Sequence, residues 1–216
     1  MNANLLEALK RLRLSGLRET LEVRLQEARS NRLNHEEFLE LILQDELAVR
    51  QQRQIDRRTK AAAFRERKTL EDFQWDLNRS IKKKQLFGLA AGDCVRQHRD
   101  VPFRGQPGRG KKQLIRSGWT VLYRSIFDAV RDFLHDEAFE GHDKMLSTYL
   151  KPDLLILDDM GMKRLPKRSG EYLFEIILRR HELRSTMMTS NRPLEDWGKL
   201  IGDVPAATAI LDRFLQ

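Results

Sequence analysis

From residue 101 onward, short apolar runs alternate with amphipathic stretches. Candidate strands fall at 101–104, 120–123, 154–157 and 186–189, and candidate helices at 125–134, 142–150 and 169–181. Strands separated by helices run parallel, because each return to the same end of the sheet needs a crossover, and the crossover helices cover the faces of the sheet. The pattern therefore predicts an α/β domain with a parallel sheet flanked by helices. Ligands of such sheets bind at the carboxyl ends of the strands, where Gly105, Asp158 and Asn191 fall.

The loop after the first strand is GQPGRGKK, residues 105–112. It fits the phosphate-loop pattern G-x-x-x-x-G-K-[ST] at every fixed position except the last, where Lys112 stands in place of a hydroxyl residue. In that pattern glycines, here Gly105, Gly108 and Gly110, let consecutive backbone N–H groups curl around phosphate oxygens, and Lys111 reaches the terminal phosphates. The missing hydroxyl is a Mg²⁺ ligand in that pattern. Lys112 puts a second cation there, which weakens metal binding more than phosphate attraction.

Further along, LLILDD (154–159) reads as a buried strand ending in two carboxylates, the type and order of a second Walker motif. Asp158 is placed to hold Mg²⁺ through water and Asp159 to orient an attacking water. Asn191, at the end of TMMTSN, is either a sensor of the γ-phosphate or a turn residue ahead of Pro193. Arg213 in ILDRF is either an arginine finger reaching a neighbouring subunit's site or a surface arginine. Together these pieces fit a nucleoside-triphosphatase template that takes a nucleotide and Mg²⁺.

The N-terminal region is different in kind. Leucines at 5, 6, 9, 12, 14, 17, 21 and 25 are spaced by threes and fours, which predicts an amphipathic helical pair interrupted near Ser15–Gly16. Asn34 followed by Glu37 resembles a capping box, so a third helix is expected from His35 toward Ala62. That helix begins apolar and ends basic: residues 50–68 hold eight basic and two acidic residues. Arg50, Arg53, Arg57 and Lys60 share one helical face, a stripe suited to tracking the phosphates of double-stranded DNA, against the bland reading of a solvated face. Few carboxylates stand within pairing distance of it. Domain boundaries follow: an all-α region at 1–65, a linker at 66–80 with Phe73 and Trp75 as packing anchors, and the α/β domain at 81–216, entered by a helix capped by Ser80.

A net charge of +8 is in keeping with an anionic partner. No apolar run is long enough for a bilayer and no secretory signal is evident, so a cytoplasmic protein is expected. The single cysteine, Cys94, allows no internal disulfide and reads as a packed small side chain. His135 and His142 flank an acidic stretch without metal-site spacing and read as part of a solvated loop or helix end.

The stretches LYRSIFD (122–128), YLKPDLLILDDMG (149–161), KRSGEYLFEII (167–177), TSNRPLEDWGKLIGD (189–203) and ATAILDRF (207–214) resemble the IstB-type ATP-binding proteins of insertion sequences. These are AAA+ P-loop NTPases, similar to the DnaC helicase loader. The resemblance implies a DNA-binding N-terminal region, ATP-dependent homo-oligomers and assistance to a partner transposase. By position it places Gly105, Gly108, Gly110 and Lys111 in the phosphate loop, Asp158 and Asp159 in the second Walker motif, Asn191 as first sensor and Arg213 as arginine finger.

Several features depart from that family. A βαβ crossover takes at least about 10–12 residues, yet only Lys112–Gly118 separates Lys111 from the next strand, as an internal deletion leaves it. Pro102 is expected in a central strand, where it removes a ladder hydrogen bond, and Arg104 at a buried position. The chain stops at Gln216, short of the family's last strand and second sensor, as in a C-terminally truncated copy. These departures keep two other readings open: a non-catalytic DNA- or partner-binding remnant, and a DnaC-like helicase loader.

Overall fold

A computed structural model describes residues 2–64, 82–104, 114–115, 117–136 and 142–215. Gly105, Gly108, Gly110, Lys111 and Lys112, and the 66–80 segment with Phe73, Trp75 and Ser80, lie outside the described residues. The chain divides into two compact units, Met1–Arg57 and Arg58–Gln216.

The first unit is built from α1 (Ala3–Arg11), α2 (Ser15–Asn31) and the first part of α3 (His35–Ala61). Leu9, Leu17, Leu21 and Ile42 form its core, with Leu14, Leu25 and Phe38 packed against them. The interruption between α1 and α2 lies at Leu12–Leu14, where Arg13 takes a left-handed φ of 57°. Gly16, which the sequence places at the break, is instead in the first turn of α2. A Cβ there would lie 2.9 Å from Val49 Cβ and 3.0 Å from the Asp45 carbonyl, so glycine is what lets α2 approach α3.

The capping box is present: the Asn34 side chain accepts from Glu37 N–H at 2.9 Å and the Glu37 carboxylate accepts from Asn34 N–H at 2.7 Å. Glu46 is buried and caps α2 from across the unit, its Oε2 accepting from Gly16 N–H at 2.8 Å and Leu17 N–H at 3.1 Å. Arg24 grips Asp45 through Nε at 2.8 Å and Nη2 at 2.9 Å.

The second unit holds β1 (Val101–Arg104), β2 (Val121–Ser125), β3 (Leu154–Met160) and β4 (Ser185–Ser190) in one parallel sheet of order β1-β4-β3-β2 among the described residues. Its helices are α4 (Lys83–Ala91), α5 (Asp93–Arg96), α6 (Ile126–Asp136), α7 (His142–Leu150), α8 (Ser169–Arg180), α9 (Trp197–Ile201) and α10 (Val204–Leu215). Leu122, Leu155, Leu157 and Met188 form one core with residues of α6–α10, including Phe133, Tyr149, Ile176, Trp197 and Ile210. This is the expected α/β parallel sheet.

Three details differ from the sequence expectations. Among the described residues β1 pairs only with β4, so Pro102 sits on an edge strand, where a missing N–H is tolerated, and not in a central one. Helix α4 starts at Lys83 with Lys82 in the cap position, and no side chain caps it. The strand predicted to stop at Leu157 runs on to Met160.

Leu114 and Ile115 are helical and buried. Their helix ends at Gly118, whose φ is 98°, with Gly118 N–H donating to Ile115 O at 3.0 Å and Trp119 N–H to Leu114 O at 3.2 Å. That pair of bonds is a Schellman stop. It closes the helix before β2 begins at Val121. Cys94 is buried on α5, and its carbonyl accepts from the Ser185 hydroxyl at 2.8 Å.

Candidate nucleotide site and basic helix face

Side chains along a strand alternate between the two faces of a sheet, so register decides which ones meet. Tyr123 pairs with Ile156 and Ser125 with Asp158, which puts Tyr123, Ser125, Ile156 and Asp158 on one face. Met187 pairs with Ile156, so Thr189 of β4 shares that face. Leu157 is opposite Met188 and Met160 is opposite Ser190, so two residues of β3, Asp158 and Asp159, stand against Thr189 alone. This is a bulge of the two-against-one kind, a device that re-aims side chains.

Asp158 is 2% exposed. Its Oδ2 accepts from the Tyr123 hydroxyl at 2.5 Å, and its Oδ1 accepts from the Thr189 hydroxyl and from Asp159 N–H at 2.8 Å. The carboxylate is therefore oriented from both neighbouring strands. Asp159 has a left-handed φ of 65° and is half-buried, so the bulge turns it out of the row that Asp158 occupies.

Just past β3, Gly161 has a φ of 99°, and a Cβ there would lie 2.6 Å from Arg192 Cγ and 3.3 Å from Asn191 Oδ1. Asn191 is exposed and thus lies beside the turn that follows the two aspartates. Ser190 pins this corner: its hydroxyl donates to Met160 O at 2.8 Å and accepts from Arg192 N–H at 2.9 Å. Asp158, Asp159 and Asn191 thus gather at the carboxyl ends of β3 and β4. Arg213 is elsewhere, half-buried in the last turn of α10.

A hard divalent cation takes oxygen ligands and keeps several waters. The strand ends offer such oxygens, from Asp158, Asp159 and the nearby hydroxyls. Among the described residues no group of three or more His, Cys, Asp or Glu side chains could hold a metal alone. The oxygens of Asp158, Asp159 and Thr189 are of the type such a cation takes, and further ligands would have to come from outside this cluster.

At the opposite ends of the strands, Arg180 is 1% exposed. It donates to the carbonyls of Tyr149 at 2.8 Å, Pro152 at 2.9 Å and Ser185 at 2.5 Å, and to the Thr186 hydroxyl at 3.1 Å. Burial pushes its pKa down to about 10, which leaves it cationic at neutral pH. This arginine joins α7, α8 and β4, and no sequence motif marks it.

In the first unit Arg50, Arg53 and Arg57 are exposed on α3 and line a groove together with Arg13, Leu12 and Leu47. Lys60 is exposed in the last turn of the same helix. Arg50 Nε donates to Glu46 Oε1 at 2.7 Å and Arg53 to the Ser15 hydroxyl at 2.5 Å. The stripe is thus less uncompensated than the 50–68 window suggests, because the partner of Arg50 is four residues upstream. Arg50 nevertheless keeps 55% of its side chain exposed.

A family model described as IstB-like ATP binding protein matches residues 7–216. A Geobacillus stearothermophilus protein named for ATP binding in insertion sequence IS5376 is 29% identical, over 100% of this chain and 89% of its own length. A Pseudomonas aeruginosa protein named likewise for insertion sequence IS21 is 32% identical, over 96% of this chain and 82% of its own. Among solved structures, the DnaC helicase loader superposes with a TM-score of 0.51 at 21% identity, covering 73% of this chain and 95% of that one. AMPPCP-bound DnaA from Aquifex aeolicus superposes with a TM-score of 0.52 at 19% identity, covering 65% of this chain and 46% of that one. At such identities the structural likeness speaks to the fold alone.

Proposed function

The chain belongs to the IstB-like ATP-binding family, and from that premise we propose that it is an ATP-binding helper of insertion-sequence transposition that contacts DNA and assists a transposase. The observation that carries the nucleotide half is the bulge at Asp158–Asp159, where a buried carboxylate is aimed by two neighbouring strands and a second is turned outward. The phosphates would be held by Gly105, Gly108, Gly110 and Lys111, with Lys112 adding attraction. Asn191, beside Gly161, is suited to a hydrogen bond with a γ-phosphate or its water. Arg213 would serve a neighbouring copy in a homo-oligomer.

The DNA half rests on the exposed arginines of α3. Their groove presents four guanidinium groups, of Arg13, Arg50, Arg53 and Arg57, against the two carboxylates of Glu46 and Asp56, with Gln51 and Gln54 beside them, an excess of cations suited to phosphate contacts. Among the described residues no helix is long and apolar enough to cross a membrane, and the proposed place of action is the cytoplasm.

A second reading, DNA or partner binding without nucleotide turnover, is favoured by the Schellman stop at Gly118 and by Lys112 in the hydroxyl position. Binding of labelled ATP with and without Mg²⁺, in the chain and in Lys111→Ala, separates the two. Mg²⁺-dependent binding that Lys111→Ala abolishes supports the first reading. Absence of ATP binding while DNA binding persists leaves the second.

A further inference from the structure

Tyr123 meets two different parts of the second unit. Its hydroxyl donates to Asp158 Oδ2 at 2.5 Å. Its backbone N–H donates to the carbonyl of Ala62, the residue that follows α3, at 3.0 Å. Its ring stands edge-on to Phe64, with centroids 6.0 Å apart and planes at 65°. Tyr123 is 6% exposed and Ala62 is fully buried, so the segment after α3 is packed against β2 and covers this tyrosine.

We propose that Tyr123 is a positioning residue for Asp158, and that the docking of Ala62 and Phe64 upon it makes the setting of that carboxylate depend on where α3 ends. The inference rests on the reading of Asp158 as the acid of a Mg²⁺–nucleotide site. A phenolic hydroxyl bonded to a carboxylate fixes the plane in which the carboxylate offers its remaining lone pairs, which is how outer partners orient a metal's ligands. On the other side, Thr189 and Asp159 N–H hold Oδ1 from within the sheet. Among the described residues, Tyr123 is thus a contact through which the α3 exit reaches the carboxylate. A shift of residues 62–64 acts on the β2 backbone at Tyr123 and on its ring together, because both the N–H and the ring edge are engaged. The same bond works in reverse: a nucleotide that reorients Asp158 pulls on Tyr123 and loosens the α3 exit.

The test measures nucleotide affinity at a series of Mg²⁺ concentrations for the full chain, Tyr123→Phe and Phe64→Ala, with thermal melts alongside. Tyr123→Phe keeps the ring and is expected to lower Mg²⁺-dependent affinity about tenfold beyond any change seen without Mg²⁺ and beyond what its shift in melting temperature explains. Phe64→Ala, two elements away from the carboxylate, is expected to lower the Mg²⁺-dependent part alone, by about threefold. Equal losses with and without Mg²⁺, tracking a fall in melting temperature, mark a structural role and overturn the inference. So does an unchanged Mg²⁺ dependence in both variants. If the unmodified chain binds nucleotide but ignores Mg²⁺, the inference falls while nucleotide binding stands. If the unmodified chain binds no nucleotide, both fall, and that outcome is read before any variant is compared.

Discussion

Glu46 caps a helix to which it does not belong: from the middle of α3 its carboxylate accepts the N–H of Gly16 at 2.8 Å, in the first turn of α2. Helix α2 has Leu14 at its N-cap and no side-chain cap of its own, so the buried carboxylate supplies what the local sequence lacks. Burial pushes the Glu46 carboxyl up, but Arg50 and the N–H groups of Leu17 and Gly16 outweigh it and hold the group below its ordinary value of 4.5. A lowered folded-state value stabilises above the ordinary value, and that contribution is lost as pH falls below it. Glu46→Gln is expected to cost about 1–3 kcal/mol at neutral pH and to flatten the loss of helicity as the pH falls below the ordinary value of 4.5. Circular dichroism melts across that range decide it, and identical acid transitions in both proteins would refute the cap.

Arg180 yields a prediction for the second unit. Its guanidinium satisfies carbonyls from α7, the turn before β3 and β4, so a methionine there leaves several buried acceptors without donors. A loss of about 3–5 kcal/mol is expected for Arg180→Met, and Arg180→Lys is expected to recover only part of it, because an ammonium cannot reproduce the fork. Urea unfolding is the measurement. Two variants within about 1 kcal/mol of the unmodified chain would show that the network is dispensable.

Gly161 is constrained twice, by its φ of 99° and by Arg192 Cγ 2.6 Å from where a Cβ would stand. Gly161→Ala is expected to cost about 1–3 kcal/mol of stability and to move Asn191, so ATP affinity should fall further than the melting temperature explains. If ATP affinity is untouched in a folded Gly161→Ala protein, Asn191 has no part in nucleotide binding.

For the basic face, affinity for duplex DNA is expected to fall steeply with salt, and the slope should shrink by about one for each phosphate-contacting arginine removed. Replacing Arg53 and Arg57 with alanine tests this without disturbing the Arg50–Glu46 pair. An unchanged slope would assign DNA contact to some other surface.

The strands at 101–104, 121–125 and 185–190 and the helices at 126–136, 142–150 and 169–180 lie within three residues of where apolar periodicity places them, and the Asn34–Glu37 capping box is where its spacing puts it. These are local patterns, legible because period and capping chemistry act within a few residues of chain. Asp158, Asp159 and Asn191 were legible as strand-end residues for the same reason. Tyr123 and Thr189 were not, although both lie in predicted strands: nothing local says that they share a face with Asp158 until the register of three strands is known. The apolar run by itself ends the strand at Leu157, ahead of the two aspartates. Leu157 is not the end, since donors from β2 and β4 satisfy Asp158 inside the sheet.

By itself the sequence determined the class of protein: basic helical segments at the N-terminal end and a parallel α/β domain after them, because repeating apolar patterns and turn residues encode elements locally. The tertiary structure alone decided how those elements are held. Glu46 closes a helix from across its unit, Arg180 ties three elements together, and Tyr123 and Thr189 aim Asp158 from flanking strands. The bonds of Glu46, Tyr123 and Thr189, and those from Arg180 to Tyr149 and Pro152, join residues far apart in the chain, so they exist only after the backbone has been brought into register.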